Sequence, residues 1–474
     1  MAKLLQGRVS SCPKGRVETI ARMLGCNLAQ LAARAGLEPD NVDSINNGNS
    51  TYTKTIEKLA KALGVDVEVL TGAEIPESAE IMGQLVTHLG SGEEFAVLRQ
   101  EVREFFLTQS LGHPNVEAHA RKLRKLCSMT EQRTFHAYLL LRQCLSIQGK
   151  HEAARQIATF ILTSATTPAE IAHGDRALGE CYFYLGELEQ ALGHLDIDTL
   201  DNLTCKPPLL DLLGLSPLVS GRGHAAMALA AVGRVADARQ CINKSLEEAE
   251  NAEHLPSLVF ANLCDATVSV FLAEPADARR KVRVVLDLTS KAPTQPFRSL
   301  ATIIDSWAQA RLGEGVEPST VLGAFAEVRR DRANAYRPLW LSLVADALLH
   351  AGHPEIGSFL IEEAEYSATH EEDRIFASEN LRLKGEALSQ SGKPKEALEA
   401  FEEAVQIASQ QGAHLFALRS ALAARELAST KRKQQSLARQ IKRHADKIAG
   451  PCREVREASR ILTATPGRRP KHPR

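Results

Sequence analysis

Aromatic residues make up only 5% of this 474-residue chain, with two tryptophans among them. No apolar run approaches the roughly 18 residues that a membrane-spanning helix needs, so a membrane protein is not expected. No GxxxxGK[ST] loop is present to cradle phosphates, which argues against a built-in ATPase or GTPase. HExxH, G-x-S-x-G and Cys/His clusters at metal spacing are also missing, and the 15 histidines are dispersed. The residues call for no enzyme, no cofactor and no metal. The nine cysteines show neither CxxC nor His pairing, and an odd, scattered set fits reduced, buried thiols in a cytoplasmic protein.

Charge is nearly balanced at −1 overall, but unevenly distributed. Residues 430–474 carry 14 Lys+Arg against three Asp+Glu, a balance of +11, leaving −12 on the remainder. A basic end on an acidic body suits contact with nucleic acid or an acidic partner, or a solvated tail.

The most informative stretch runs from Ala21 to Leu70. Leu28, Leu31, Ala32 and Ala35 fall at i, i+3, i+4 and i+7, one face of a short helix. Gly36 suits its left-handed C-cap, Leu37 plugs the turn, and Pro39 suits the first turn of the next helix. Val42 and Ile45 give that helix an apolar stripe, and Asn47-Gly48 ends it. A further helix follows, with Ile56, Leu59, Ala60 and Leu63 inward and Lys54, Lys58 and Lys61 outward. Two helices joined by a short Gly-containing turn and buttressed by others describe a helix-turn-helix.

These residues resemble the helix-turn-helix of the phage-repressor (Cro/C1, XRE) family. LAQLAARAGL matches its positioning helix and turn, NVDSINNG its recognition helix, and TIEKLAKALGVDVEVL its closing helices. The resemblance covers about 50 residues and implies a five-helix head ending near Leu70 that binds double-stranded DNA as a homodimer, two half-sites about one helical turn apart. It implies DNA contacts from Lys14, Arg16, Asn27, Asn41, Ser44, Asn47, Asn49 and Lys54. Asn41, Ser44 and Asn47 would read bases, while Lys14, Arg16 and Lys54 would hold phosphates. Asn46 also carries a side chain able to meet a base edge. Two features depart from the family. Leu28 stands where a Gln is usual, and the recognition helix carries Glu38, Asp40 and Asp43 but no basic residue. Phosphate affinity is largely a count of cations, so a degenerate head kept for protein contacts is the alternative.

Beyond residue 78 no strand-like alternation of any length occurs, and Ala- and Leu-rich helical patterns follow one another. Gly149, Gly186, Gly233, Ala273, Gly313, Gly352 and Gly392 mark helix–helix corners, with Lys433 in the corresponding place of a final unit. The steps between them run from 37 to 47 residues, five of the seven between 39 and 41. Five residues after most corners comes a small residue, Ala154, Ala191, Ala238, Ala278, Gly357, Ala397 or Ala438, that begins a packing face; Pro318 breaks the rule. Such a period predicts an all-α solenoid of helical hairpins. LRLKGEALSQSGKPKEALEAFEEAV and LGECYFYLGELEQAL resemble tetratricopeptide repeats, although this pitch exceeds that family's period of about 34 residues. The run from Leu381 to Leu462 looks like the C-terminal repeats of large bacterial transcriptional activators.

The expected organisation is a DNA-binding head over 1–74, a helical connector over 75–130, the solenoid over 131–450 and a basic tail over 451–474. The repeat register assigns Gln143, Arg176, Glu180, Tyr184, Trp307, Asp346, Arg382 and Glu386, with Phe183, to the concave wall, a lining suited to a peptide or protein effector; inter-repeat core is the alternative for several of them. The combination resembles the peptide-pheromone receptors of Gram-positive bacteria, implying a regulator in which head and solenoid are coupled. A repeat scaffold with a vestigial head is the competing reading.

Overall fold

The computed structural model describes residues 9–12, 14, 17–18, 28–63, 71, 131–196, 200, 214–290, 295–330, 334–370 and 372–463. In the head, the apolar face read from the sequence forms α1 (Leu28–Ala35), with Leu31 and Ala32 buried. Gly36 takes a φ of +62° and Leu37 donates its N–H to Ala32 O at 3.0 Å, so the turn closes as a helix C-cap should. Pro39 then opens α2 (Pro39–Asn46), and α3 (Thr53–Leu63) packs Ile56, Leu59 and Ala60 against Leu31, Val42 and Ile45. Cys12 and Val17 complete this small core. A two-residue ribbon adds to the helices. β1 (Val9–Ser10) pairs antiparallel with β2 (Thr51–Tyr52), too short to give the alternation by which a strand is recognised. Of the five expected head helices these three are described; the connector over 75–130 lies outside the described residues.

The repeat array is a run of hairpins. α4 (Glu131–Ile147) pairs with α5 (His151–Ser164), α6 (Pro168–Tyr184) with α7 (Leu188–His194), α8 (Pro217–Val232) with α9 (Val235–Asn251), and α10 (Leu255–Phe271) with α11 (Pro275–Ser290). α12 (Gln295–Arg311) pairs with α13 (Pro318–Arg330), α14 (Arg337–His350) with α15 (Pro354–His370), α16 (Ala377–Gln390) with α17 (Pro394–Gln411), and α18 (His414–Leu427) with α19 (Lys431–Ala445). The chain is all-α apart from the ribbon, and its array is a helical-hairpin solenoid. Gly149, Gly186, Gly233, Gly313, Gly352 and Gly392 all take a positive φ at their corners, and Ala273 does so at +53°. Lys433, read from the spacing as the eighth corner, lies inside α19. That corner is built by Ala428–Thr430, where the Thr430 hydroxyl accepts the Lys433 N–H at 3.2 Å. Residues 453–463, assigned from composition to a basic tail, form α20 (Arg453–Thr463), whose Ala458 packs with Leu418 and Leu422 of α18.

Successive hairpins stack through small residues. A methyl group on Gly174 of α6 would lie 2.7 Å from Leu162 Cα of α5, so these two backbones approach too closely for any other residue. The array also closes on itself. Ile147 O, beside the first corner, accepts N–H groups from Asn334 and Ala335 at 2.8 and 3.0 Å. Tyr184 O, beside the second, accepts Arg374 N–H at 2.8 Å. At the third, Ala449 donates to Gly233 O at 2.9 Å and accepts from Val235 at 3.1 Å. Three corners of the first half therefore dock on loops of the second. Phe271 of α10 meets Phe376 and Phe416 at ring separations of 5.6 and 5.3 Å across the join.

Closure explains a difference between the two helices of a hairpin. α8 buries 13 of its 16 residues and α14 buries 11 of 14, whereas α9 buries only six of 17. The first helices face protein on all sides; the second helices form the outer shell. Six cysteines among the described residues are free and buried, and burial pushes the Cys181 thiol up to about 11, which keeps it protonated and unreactive. No helix among the described residues is long and apolar enough to cross a membrane.

Candidate functional site

In the head, α2 is held by Val42 and Ile45 and turns its polar residues outward. Asn41, Asn47, Asn49, Lys14 and Lys54 are exposed. Ser44 is half-buried, and its hydroxyl accepts Asn49 Nδ2 at 3.0 Å. Lys14 sits beside the Asn47–Gly48 corner, its Cβ 3.8 Å from where a methyl on Gly48 would lie. Asn46 is taken out of the candidate set: it is 8% exposed and its Oδ1 accepts the Glu18 N–H at 2.9 Å, tying α2 to the preceding segment. Glu38, Asp40 and Asp43 share the exposed surface with the asparagines. Arg16 and Asn27 lie outside the described residues.

The residues assigned to the concave wall fall into two groups. Arg176, Glu180 and Tyr184 are buried together where α6 crosses α8. Glu180 accepts Arg142 Nη1 at 2.6 Å, Arg176 Nη1 at 2.7 Å and the Ser220 hydroxyl at 2.8 Å. Burial alone would raise the Glu180 carboxyl, but the two guanidinium groups hold it well below the usual carboxylate range. His224 Nδ1 faces Ser220 O at 2.8 Å, and its Nε2 meets the Tyr184 hydroxyl at 3.1 Å. Phe183 and Tyr336 pack round the same imidazole. This knot fixes the first half of the array from inside and is closed to ligands by the docking at Tyr184. Gln143 stands apart, half-buried on α4.

Trp307, Asp346, Arg382 and Glu386 come together. They line a cavity of about 350 Å³ that the first helices α12, α14, α16 and α18 form with α20. Asp346 accepts Trp307 Nε1 and Arg311 Nε, both at 2.7 Å. Arg311 reaches on to Glu386 at 3.3 Å, and Glu386 also pairs with Arg382. Arg382 Nε donates to Glu379 Oε2 at 3.0 Å. Arg419 joins the far side, donating to Glu379 Oε2, Glu454 Oε1 and Phe271 O at 2.8, 2.8 and 2.7 Å. Burial would raise the Asp346 carboxyl, yet Arg311 and His350 hold it well below its ordinary value. Burial likewise would lower Arg382, but Glu379, Glu386 and Asp346 hold its guanidinium above the usual arginine value. The result is a polar chamber of alternating fixed charges inside an otherwise apolar solenoid.

Repeat register alone misses Arg311, Glu379, Arg419 and Glu454. A signal for part of the network exists: Glu379, Arg382 and Glu386 stand at i, i+3 and i+7 on a first helix, where the hairpins otherwise place small and apolar residues. Arg419 and Glu454 belong to α18 and α20, and only the closure of the array brings them to the wall.

No protein-family model matches the sequence, and no curated protein does. Among solved structures the chain is similar to a Rap protein complexed with competence and sporulation factor, at 11% identity and a TM-score of 0.49, with 83% of this chain and 99% of that chain covered.

Proposed function

We propose that the protein is a DNA-binding transcriptional regulator whose helical-repeat array receives a peptide or protein effector. The observation that carries the reading is the head: α1 and α2 are joined through a left-handed Gly36, and an exposed asparagine-rich face is presented on the second helix. The proposal assigns DNA contact to residues 1–74, a connector to 75–130 and effector contact to the polar chamber around Asp346 and Arg382. A homodimer supplies two heads, because one eight-residue helix offers too few base contacts for specificity. The protein acts in the cytoplasm, without cofactor or catalysis.

A second reading rests on a specific observation. Exposed Glu38, Asp40 and Asp43 put negative charge on the helix that would enter the groove, which favours a non-enzymatic scaffold whose head contacts proteins. A gel shift with DNA upstream of the protein's own coding region separates the two. A regulator retards that DNA in preference to scrambled competitor, and Asn41→Ala weakens the specific band by roughly 1–3 kcal/mol. Equal, steeply salt-dependent binding to every sequence, or no binding at low salt, would sink the regulator in favour of the scaffold.

A further inference from the structure

Two carboxylates in the polar chamber are only half used. Glu379 and Glu454 bracket Arg419, and each spends one oxygen on it. Their other oxygens, Glu379 Oε1 and Glu454 Oε2, are buried, and no N–H or O–H donor of the described residues reaches them. The side chains are 2% and 4% exposed, so both acceptors belong to a built interior rather than to a solvated surface. A buried acceptor without a donor is costly, and proteins seldom keep one that serves nothing.

The arginines cannot supply the missing protons. Arg382 is engaged by Glu379 and Glu386, and Arg419 divides its donors among two carboxylates and Phe271 O. The lining as a whole holds six carboxylates, Asp346, Glu379, Glu386, Glu426, Glu454 and Glu457, against four arginines. Glu426 and Arg453, both exposed, stand at the solvent side. Trp307 and Phe376 add aromatic surface of the kind on which a guanidinium or ammonium group rests favourably. A cavity of about 350 Å³ is large enough for one long side chain and its flanking backbone.

We propose that this chamber binds the cationic side chain of a basic peptide segment, its N–H groups donating to Glu379 Oε1 and Glu454 Oε2. The proposal rests on the effector reading above and narrows the effector to a basic one. Titration calorimetry on the full chain tests it with three probes: acetyl-Ala-Arg-Ala-amide, the same peptide with citrulline for arginine, and spermidine. The arginine peptide should bind at least tenfold more tightly than the citrulline peptide, which is isosteric but uncharged. Glu454→Gln should weaken the arginine peptide at least tenfold. Because that change also weakens the tie to Arg419, the double variant Glu426→Gln/Glu457→Gln, which touches no described ion pair, should weaken it at least threefold with an unchanged circular dichroism spectrum. Equal binding of the arginine and citrulline peptides would overturn the cationic site while leaving a peptide groove standing. Spermidine binding without peptide binding would overturn the peptide source and point to a free polyamine. Binding of no probe would overturn the site altogether, and the DNA-binding reading would still be decided by the gel shift.

Discussion

Ala273 holds a backbone at φ +53° where the six comparable corners use glycine. An L-residue in that region brings Cβ too close to the following carbonyl, at a cost of roughly 1–2 kcal/mol, part of which glycine's larger unfolded-state entropy would cancel. Ala273→Gly should therefore stabilise the array by about 0.5–1 kcal/mol, seen as a higher denaturation midpoint at unchanged activity. A lower midpoint would mean that the methyl group packs productively. The corners were legible from sequence because one backbone demand, a left-handed residue, recurs with a fixed period. The buried arginines were not. Arg142, Arg419 and Arg382 are 2–14% exposed at their side chains, and a charged residue on a repeat's first helix is more naturally read as a groove wall. Their burial depends on Glu180, Glu379 and Glu454, partners that lie at sequence distances no local pattern reveals.

At the scale of single elements, the packing of α18 on α19 places two imidazoles in contact. His414 Nδ1 and His444 Nδ1 are 3.3 Å apart, and Ser409 Oγ lies 3.3 Å from His444 Nε2. Burial first, then His414 and Arg443, lowers His444 to about 4. Burial also lowers His414, with Lys447 and Arg443 adding to the effect, and burial lowers His224 inside the first knot. An unfolded histidine binds its proton near 6.5, so below that pH the unfolded chain takes up protons that the folded one refuses. The stability these three contribute is present above pH 6.5 and is lost as pH falls towards about 4, the value for His444. His350 works the other way: its hydrogen bond to Asp346 raises its value, so its contribution is present below 6.5 and is lost as pH rises. With three groups against one, urea midpoints should fall between pH 7 and pH 4.5, and His444→Gln should flatten that slope. A midpoint independent of pH in both proteins would contradict the assignment.

For the whole molecule, the decisive property is that the solenoid is tied end to end. An open repeat array loses stability one repeat at a time from its ends, because each unit touches only its neighbours. Here α20 and the loop before it hold Gly233 and Val235, more than 200 residues earlier in the chain. Truncation after Leu427 should therefore strip hydrogen-exchange protection from α8 and α9 as well as from α16–α18, and a single unfolding transition should become two. Loss confined to the last hairpin would show that the ties carry little energy. The closure was illegible in sequence because loops 334–336, 372–374 and 447–449 carry no periodic pattern; only the accumulated rotation of successive hairpins brings them to the first three corners. It also constrains how an effector acts. Smooth flexing of the superhelix is blocked by the ties, so a ligand would have to favour a state in which one of them is released.

Open repeat families change length readily, since a unit duplicated in the middle merely extends the stack. The docking of Ile147 on Asn334 and Ala335, and of Gly233 and Val235 on Ala449, removes that freedom. Inserting one more hairpin between α9 and α14 would carry residues 334–335 past the first corner and 449 past the third, and every tie would lose its partner at once. The number of hairpins is thus fixed by geometry, and length variants of this architecture should arise within loops or at the two ends rather than by gain or loss of a repeat.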